Sequence, residues 1–146
     1  MKKIAIGWDP NAKDCKEELV SFLEKKGFDI VDFGGEDPIY ANVAFDVANA
    51  VADRKAIRGI LLCGTGIGMS IAANKVKGAY AALIADQYSA ERSRLSNDAN
   101  VACFGAFTLG QRLIESCALS FLTNEFDPNS SSKVKVERFV EFDESR

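Results

Sequence analysis

The 146-residue chain has the length of one domain, with 47% hydrophobic and 27% charged residues and a net charge of only −3, the balance of a globular protein that buries most of its core. So small a charge gives no footprint for nucleic acid or an acidic membrane surface. No apolar segment is long enough to span a bilayer, and the N-terminal run "KKIAIGW" stops at Asp9, too early for a secretory signal. In chain order, "KKIAIGW" reads as a short strand. Residues 13–26 place Cys15, Leu19, Phe22 and Leu23 on one helix face, with Gly27 as the C-terminal cap. "FDIVDF" follows as a strand, and after the loop "GGEDPIYAN" the residues Val43, Val47, Ala48 and Val51 form a second helical stripe. "GILLC" is a strand with apolar residues at every position, as expected when both faces are covered. A helix over about 67–75 and the strand "AYAALI" come next; Ser89 is placed to cap a short helix ending near Leu95, and "VACF" makes a fifth strand. A helix from Thr108 to Leu122 turns Leu109, Leu113, Ala118 and Phe121 inward. "DPNSSSK", 127–133, is loop-like. The tail "VKVERFVEF" is open: Val134 and Val136 alternate as in a strand, while Val136, Phe139 and Val140 share a helix face.

Strands separated by helices of this length imply a single α/β domain over 1–146, a parallel sheet with right-handed crossovers and its ligand site beyond the carboxyl ends of the strands. Those ends carry Asp9, Gly34, Gly35, the run Cys63–Gly68, Asp86 and Gly105. A partner subunit is the natural cover for the apolar groups of the segment about 127–146. Cys15, Cys63, Cys103 and Cys117 lie far apart with no C-x-x-C pair, which reads as reduced thiols of a cytoplasmic protein, without a disulfide framework or a zinc site. There is no histidine. That removes Ser-His-Asp and Cys-His catalysis within one chain, and every imidazole metal site. Proton transfer falls to carboxylate, thiol, lysine or tyrosine, or to another chain.

The stretch "LLCGTGIGMSIAANKV", 61–76, concentrates the chemistry. Cys63 stands where a strand gives way to backbone N–H groups and a helix N-terminus, a field that favours a thiolate acting as general base or nucleophile; the plainer role is a small buried hydrophobe closing a core strand. Gly64, Thr65, Gly66, Ile67 and Gly68 form no Walker loop, since no Gly-Lys-Ser/Thr follows. They approach the dinucleotide pattern, but Met69 occupies the third glycine position and the loop follows the third strand; Asp86 has the spacing of a ribose-binding acid. A backbone nest for a phosphate or a developing oxyanion fits the loop better. Trp8 is placed to stack on a sugar or to pack, and Tyr40 to touch substrate or anchor its loop. Asn97, Asp98 and Asn100 form a polar cluster before the fifth strand.

"CGTGIGMSIAANKVKG", with "KKIAIGWD" before it and "YSAERSRLSNDANVACFG" after it, resembles the ribose-5-phosphate isomerase B family, which includes the galactose-6-phosphate isomerase subunits. The resemblance runs from residue 1 to about 126. It implies a Rossmann-like three-layer fold, a five-stranded parallel sheet with helices on both faces. It also implies a homodimer or dimer of dimers with sites at the subunit interface. The implied reaction interconverts an aldose phosphate and a ketose phosphate through an enediolate, with no metal or nucleotide cofactor. Cys63 falls on the base that moves the proton between C1 and C2, and the loop Gly64–Gly68 on the amides that receive the enediolate oxygen. Thr65, Asp9, Tyr40 and Asn97 also fall on active-site positions.

The departures from the family are specific. Pro10 and Ser96 stand where the family has histidines, the second of which helps open the sugar ring. Phe107 stands where an arginine near the substrate phosphate is often found, and "PNSSS" replaces a "GGRH"-like phosphate element. Three expectations follow. The chain is an isomerase in which Asp9, Ser96 or Asp98 handles ring opening, or whose substrate opens unaided, with Lys133, Lys135 or Arg138 holding the phosphate. Or it is one member of a hetero-oligomer whose paralogue supplies the missing groups. Or it is a sugar-binding or regulatory subunit without turnover.

Overall fold

The structure, a computed structural model, describes residues 2–146. Strand β1 (Lys3–Trp8) leads through a 3-10 turn (Pro10–Ala12) into helix α1 (Lys13–Lys25), then β2 (Asp29–Asp32) and α2 (Tyr40–Ala52). Next come β3 (Arg58–Cys63), α3 (Ile67–Ala73), β4 (Ala81–Leu83), α4 (Gln87–Leu95), β5 (Val101–Gly105), α5 (Gln111–Thr123) and α6 (Lys133–Glu144). The strands pair in parallel in the order β2-β1-β3-β5-β4. The chain therefore steps outward from β1 to β2, then returns past β1 to build the other side. That reversal falls between β1 and β3, and the carboxyl ends of strands at such a switch point are where open α/β sheets bind ligands.

Side-chain alternation divides the core into two layers. Ile4, Ile6, Ile60, Leu62 and Phe104 face Leu19 and Leu23 of α1 and Ile114, Ala118 and Phe121 of α5. Ala5, Leu61, Cys63 and Cys103 face Val43, Val47 and Val51 of α2 and Met69 and Ala73 of α3. Helix α2 seats against the sheet where Gly7 and Gly59 leave room for its valines. A methyl group on Gly7 would stand 2.6 Å from Val43 Cγ1, and one on Gly59 would stand 2.7 Å from Val47 Cγ1. The close seat of α2 fixes its first residue, Tyr40, above the loop that follows β3.

Several element boundaries differ from expectation for local reasons. The cap of α4 is Asp86, not Ser89: the Asp86 carboxylate accepts the Ser89 N–H at 2.7 Å and the Ser89 hydroxyl at 2.8 Å. That use also removes Asp86 from a ribose-binding role. Helix α5 begins at Gln111 rather than Thr108, because residues 105–109 close a turn in which the Thr108 and Leu109 amides both donate to the Gly105 carbonyl. Strand β4 is only Ala81–Leu83, since the Tyr80 N–H goes to the Asn100 side chain at 2.7 Å instead of a ladder. The tail is the helix α6. Its last turn is anchored where Asp143 accepts the Gly78 N–H and the Tyr80 hydroxyl, both at 2.8 Å, and pairs with Arg146. Val134, Phe139 and Phe142 of α6 remain exposed. Among the described residues no helix is long and apolar enough to cross a membrane.

Candidate active site

The topological switch point brings together Asp9, just past the end of β1, and Cys63 at the end of β3. Trp8 pairs with Leu62, and the Asp9 N–H donates to the Leu62 carbonyl at 3.0 Å, so the acid and the thiol emerge side by side. Cys63 is 6% exposed. Its side chain is on the α2/α3 side of the sheet, and its sulfur receives the Gly66 N–H at 3.0 Å. Gly66 turns the loop with φ +82°, the left-handed conformation that glycine adopts without strain, and it packs beneath Leu83 and Phe104. This geometry commits the Gly66 amide to the thiol. The Gly68 amide, like that of Met69 in the same first turn of α3, has no acceptor within the helix and is a donor available to an incoming oxygen.

The remaining neighbours close this half of the site. Thr65 is exposed, and its hydroxyl oxygen accepts the Ile67 N–H at 3.2 Å, which leaves the O–H free to donate outward. The Tyr40 hydroxyl lies directly over Gly68, where any side chain would collide with it. Asp9 Oδ1 accepts the Asn11 N–H at 2.9 Å and caps the 3-10 turn that Pro10 begins. The turn after β5 completes the wall: the Ala106 N–H donates to the Cys63 carbonyl at 2.8 Å and the Phe107 N–H to the Gly64 carbonyl at 2.9 Å. The Phe107 ring lies over Gly64 and is 70% exposed. Sequence reasoning missed this β5 turn as a support for the cysteine loop. Gly105 offered the signal, because a side chain there would strike Thr65 and Thr108.

Trp8 is a packing residue. Its ring is buried against Gly35, its Nε1–H donates to Asp32 at 2.9 Å, and Lys16 Nζ sits 4.7 Å from its ring centre. Lys16 also pairs with Asp32 at 3.0 Å, and burial, which raises this carboxyl, is outweighed by the Gly34 amide, Trp8 and Lys16, which together hold it below its ordinary range. Cys103 and Cys117 are fully buried and Cys15 is half-buried. Burial pushes the Cys15 thiol up to about 11, and Cys103 still higher. All the cysteines are free.

A second group of candidates lies elsewhere in the same chain. Ser96, Asn97 and Asp98 follow α4 and precede β5, at the amino end of the sheet. Cys63 pairs with Gly105 at the other end of the same ladder, where Gly59 pairs with Val101. Strand rise alone puts roughly 13 Å between those edges. The Ser96 hydroxyl receives the Arg92 Nε–H at 2.6 Å, Asp98 receives the Arg94 Nη1–H at 2.9 Å, and Asn97 is exposed. Lys133 joins this group: it lines one groove with Asp98, Phe126 and Glu137, and stands 4.0 Å from the Glu137 carboxylate. Arg138 pairs with Glu141 at 2.8 Å. One chain thus brings Asp9, Tyr40, Cys63 and residues 64–68 together and holds Ser96, Asn97, Asp98 and Lys133 apart from them.

Residues 4–139 match the sequence model of the family described as Ribose/Galactose Isomerase. The chain is 46% identical to a D-erythrulose-4-phosphate isomerase of Pectobacterium atrosepticum, over 94% of this chain and 93% of that protein. It is 42% identical to a ribose-5-P isomerase B of Listeria innocua, over 97% of each. Among solved structures, the type B ribose 5-phosphate isomerase of Trypanosoma brucei superposes with a TM-score of 0.92 at 37% identity, covering 97% of this chain and 99% of that one.

Proposed function

The chain belongs to the ribose/galactose isomerase family and is a sugar-phosphate isomerase, and from that premise we propose that Cys63 is the base of an aldose–ketose interconversion. The thiolate takes the proton from C2 of the open aldose while the C1 carbonyl becomes an oxyanion, giving an enediolate. After the O2 proton passes to O1, the same sulfur returns its proton to C1 and a ketose is formed. The observation that carries this reading is the Gly66 N–H held on the Cys63 sulfur at 3.0 Å, beside the Gly68 amide, the Thr65 hydroxyl and the Tyr40 hydroxyl. Fixed dipoles near a developing oxyanion act without reorganising. The names of the relatives bring two substrates into range, a five-carbon and a four-carbon phosphosugar.

The separation of the two residue groups also belongs to this reading. Asn97, Ser96, Asp98 and Lys133 reach a Cys63 site only from a second copy, so the working site forms between subunits, with segment 127–146 and its exposed Val134, Phe139 and Phe142 covered there. A second reading is a mixed assembly with a paralogue. It is favoured by the 36% identity to a galactose-6-phosphate isomerase subunit of Clostridium acetobutylicum. Assay of the purified chain alone against sugar phosphates separates the two. Turnover that is lost in Cys63→Ala, with the far-ultraviolet spectrum unchanged, supports the first reading. Turnover only after a paralogue is added supports the second, and full turnover in Cys63→Ala contradicts the thiol as base.

A further inference from the structure

Two buried cations lie away from the Cys63 loop. Arg58 opens β3 and Arg94 stands in the last turn of α4, and they are only 5% and 4% exposed. Main-chain carbonyls hold both guanidinium groups in place. Arg58 Nη1 donates to the Phe121 carbonyl at 2.9 Å, and Arg94 Nε and Nη1 donate to the Asn124 and Ala99 carbonyls at 3.2 and 2.6 Å. Their Nη2 atoms converge on one oxygen, Glu125 Oε2, at 3.0 Å from Arg58 and 3.5 Å from Arg94. The second distance is longer than a good hydrogen bond. The acids that answer these cations lie outside: the Glu125 side chain is 68% exposed and that of Asp98 45%. Buried charges need close, well-bonded partners, and hydrated acids at the surface compensate them poorly. Burial and the neighbouring Arg94 charge lower Arg58 from its ordinary value, against the opposing pull of Glu125.

Both guanidinium groups line a polar cavity of about 320 Å³. Its walls carry three cations, Lys2, Arg58 and Arg94, against two acids, Asp98 and Glu125, in a chain whose net charge is −3. The cavity shares only Asp98 with the groove of Lys133. It sits at the amino ends of β3 and β5, the edge opposite Cys63. We propose that this cavity binds a phosphate dianion, free or as a small monoester, whose oxygens take the place of the Glu125 carboxylate between Arg58 and Arg94. The planar fork of N–H donors on each arginine matches phosphate oxygens two at a time. Because the main chain fixes both forks, they are in position before the ligand arrives. The exposed Glu125 side chain is free to turn into water. This site is independent of the isomerase reading.

The test is isothermal titration of the full chain with inorganic phosphate and, separately, with glycerol 3-phosphate, which has no carbonyl to isomerise. Wild type should bind. Glu125→Gln should bind about tenfold more tightly, because the competing carboxylate is gone, and Arg58→Gln about tenfold more weakly. Circular dichroism reports whether Arg58→Gln folds; Glu125 is a surface residue, and its variant carries the test alone if Arg58→Gln does not fold. Phosphate should also raise the Tm of Glu125→Gln more than that of wild type, since it pairs the two cations again. Tighter binding of glycerol 3-phosphate makes the occupant an organic monoester, and equal or tighter binding of inorganic phosphate makes it the free ion; both support the site. Absence of binding, or an affinity that Glu125→Gln does not raise, overturns it: Glu125 is then only an ion-pair partner, and any phosphate bound sits elsewhere.

Discussion

Gly66 does three things at one position: it turns the loop with φ +82°, packs under Leu83 and Phe104, and donates its N–H to the Cys63 sulfur. A Cβ there would stand 2.7 Å from Leu83 Cδ1 and 3.1 Å from the Phe104 carbonyl carbon. Gly66→Ala is therefore expected to shift the loop, withdraw the amide from sulfur and remove most turnover. Gly34 has φ +88° with open space around it, so Gly34→Ala should cost only the left-handed penalty of ~1–2 kcal/mol. Thermal unfolding and kcat on both variants check this. Equal activity in the two would show that the Gly66 amide does not matter to the thiol. Cys63 and its loop were legible in the sequence because a cysteine at a strand end followed by alternating glycines is a local pattern. The particular job of Gly66 was not, because which amide faces the sulfur depends on the turn. Phe107 was legible only as a missing cation. Its place over Gly64 comes from hydrogen bonds between two loops far apart in sequence.

At the scale of elements, the helices with wide apolar stripes, α1, α2 and α5, were readable from periodicity alone, and their ends were not. Asp86 outcompeted Ser89 for the cap of α4 because its carboxylate sits one turn earlier and accepts both the Ser89 amide and hydroxyl. Asp86→Ala should lower stability, seen as a shifted denaturant midpoint; an unchanged midpoint would show the cap to be idle. The tail could not be assigned because Val136 belongs to both possible periodicities. What decides it lies elsewhere in the chain, in the docking of Asp143 on Gly78 and Tyr80. Burial raises Asp143, but Arg146, the Gly78 amide and the Tyr80 hydroxyl outweigh it and hold the carboxyl below its ordinary value. A depressed acid stabilises the fold above its unfolded pKa, and that stability is lost as pH falls through the folded one. Burial and Asp143 push Tyr80 from 10.0 to about 12, so its contribution is complete below pH 10.0 and is lost as pH rises toward 12. The end of α6 should thus loosen below about pH 4 and again above pH 10. Hydrogen exchange at the Gly78 amide reads the acid arm and near-ultraviolet absorption of Tyr80 the alkaline one. Asp143→Asn should speed the exchange and flatten the acid arm; exchange that ignores both pH and the variant would contradict this docking.

The whole molecule sets two groups of residues on opposite edges of one sheet, and the proposed site between subunits needs a second copy to join them. The fold class was legible, since alternating strands and helices admit few topologies. The order β2-β1-β3-β5-β4 and the switch point it places beside Cys63 follow from pairing, which no single segment encodes. A shared site predicts complementation. Cys63→Ala and Asn97→Ala chains, each weak alone, should regain about a quarter of wild-type sites when unfolded together and reassembled, because half of the dimers are mixed and each holds one intact site. Recovery no greater than the average of the two parents would place the whole site within one chain.

The claim on which the rest depends is that the Cys63 sulfur carries the proton between the two carbons of the sugar. Proton nuclear magnetic resonance of an aldose phosphate that the chain turns over, incubated in D₂O, observes that transfer directly. Wild-type chain should wash the C2 proton of the aldose into solvent and place deuterium at C1 of the ketose, while folded Cys63→Ala leaves the C2 signal intact. Undiminished exchange in that variant would contradict the account.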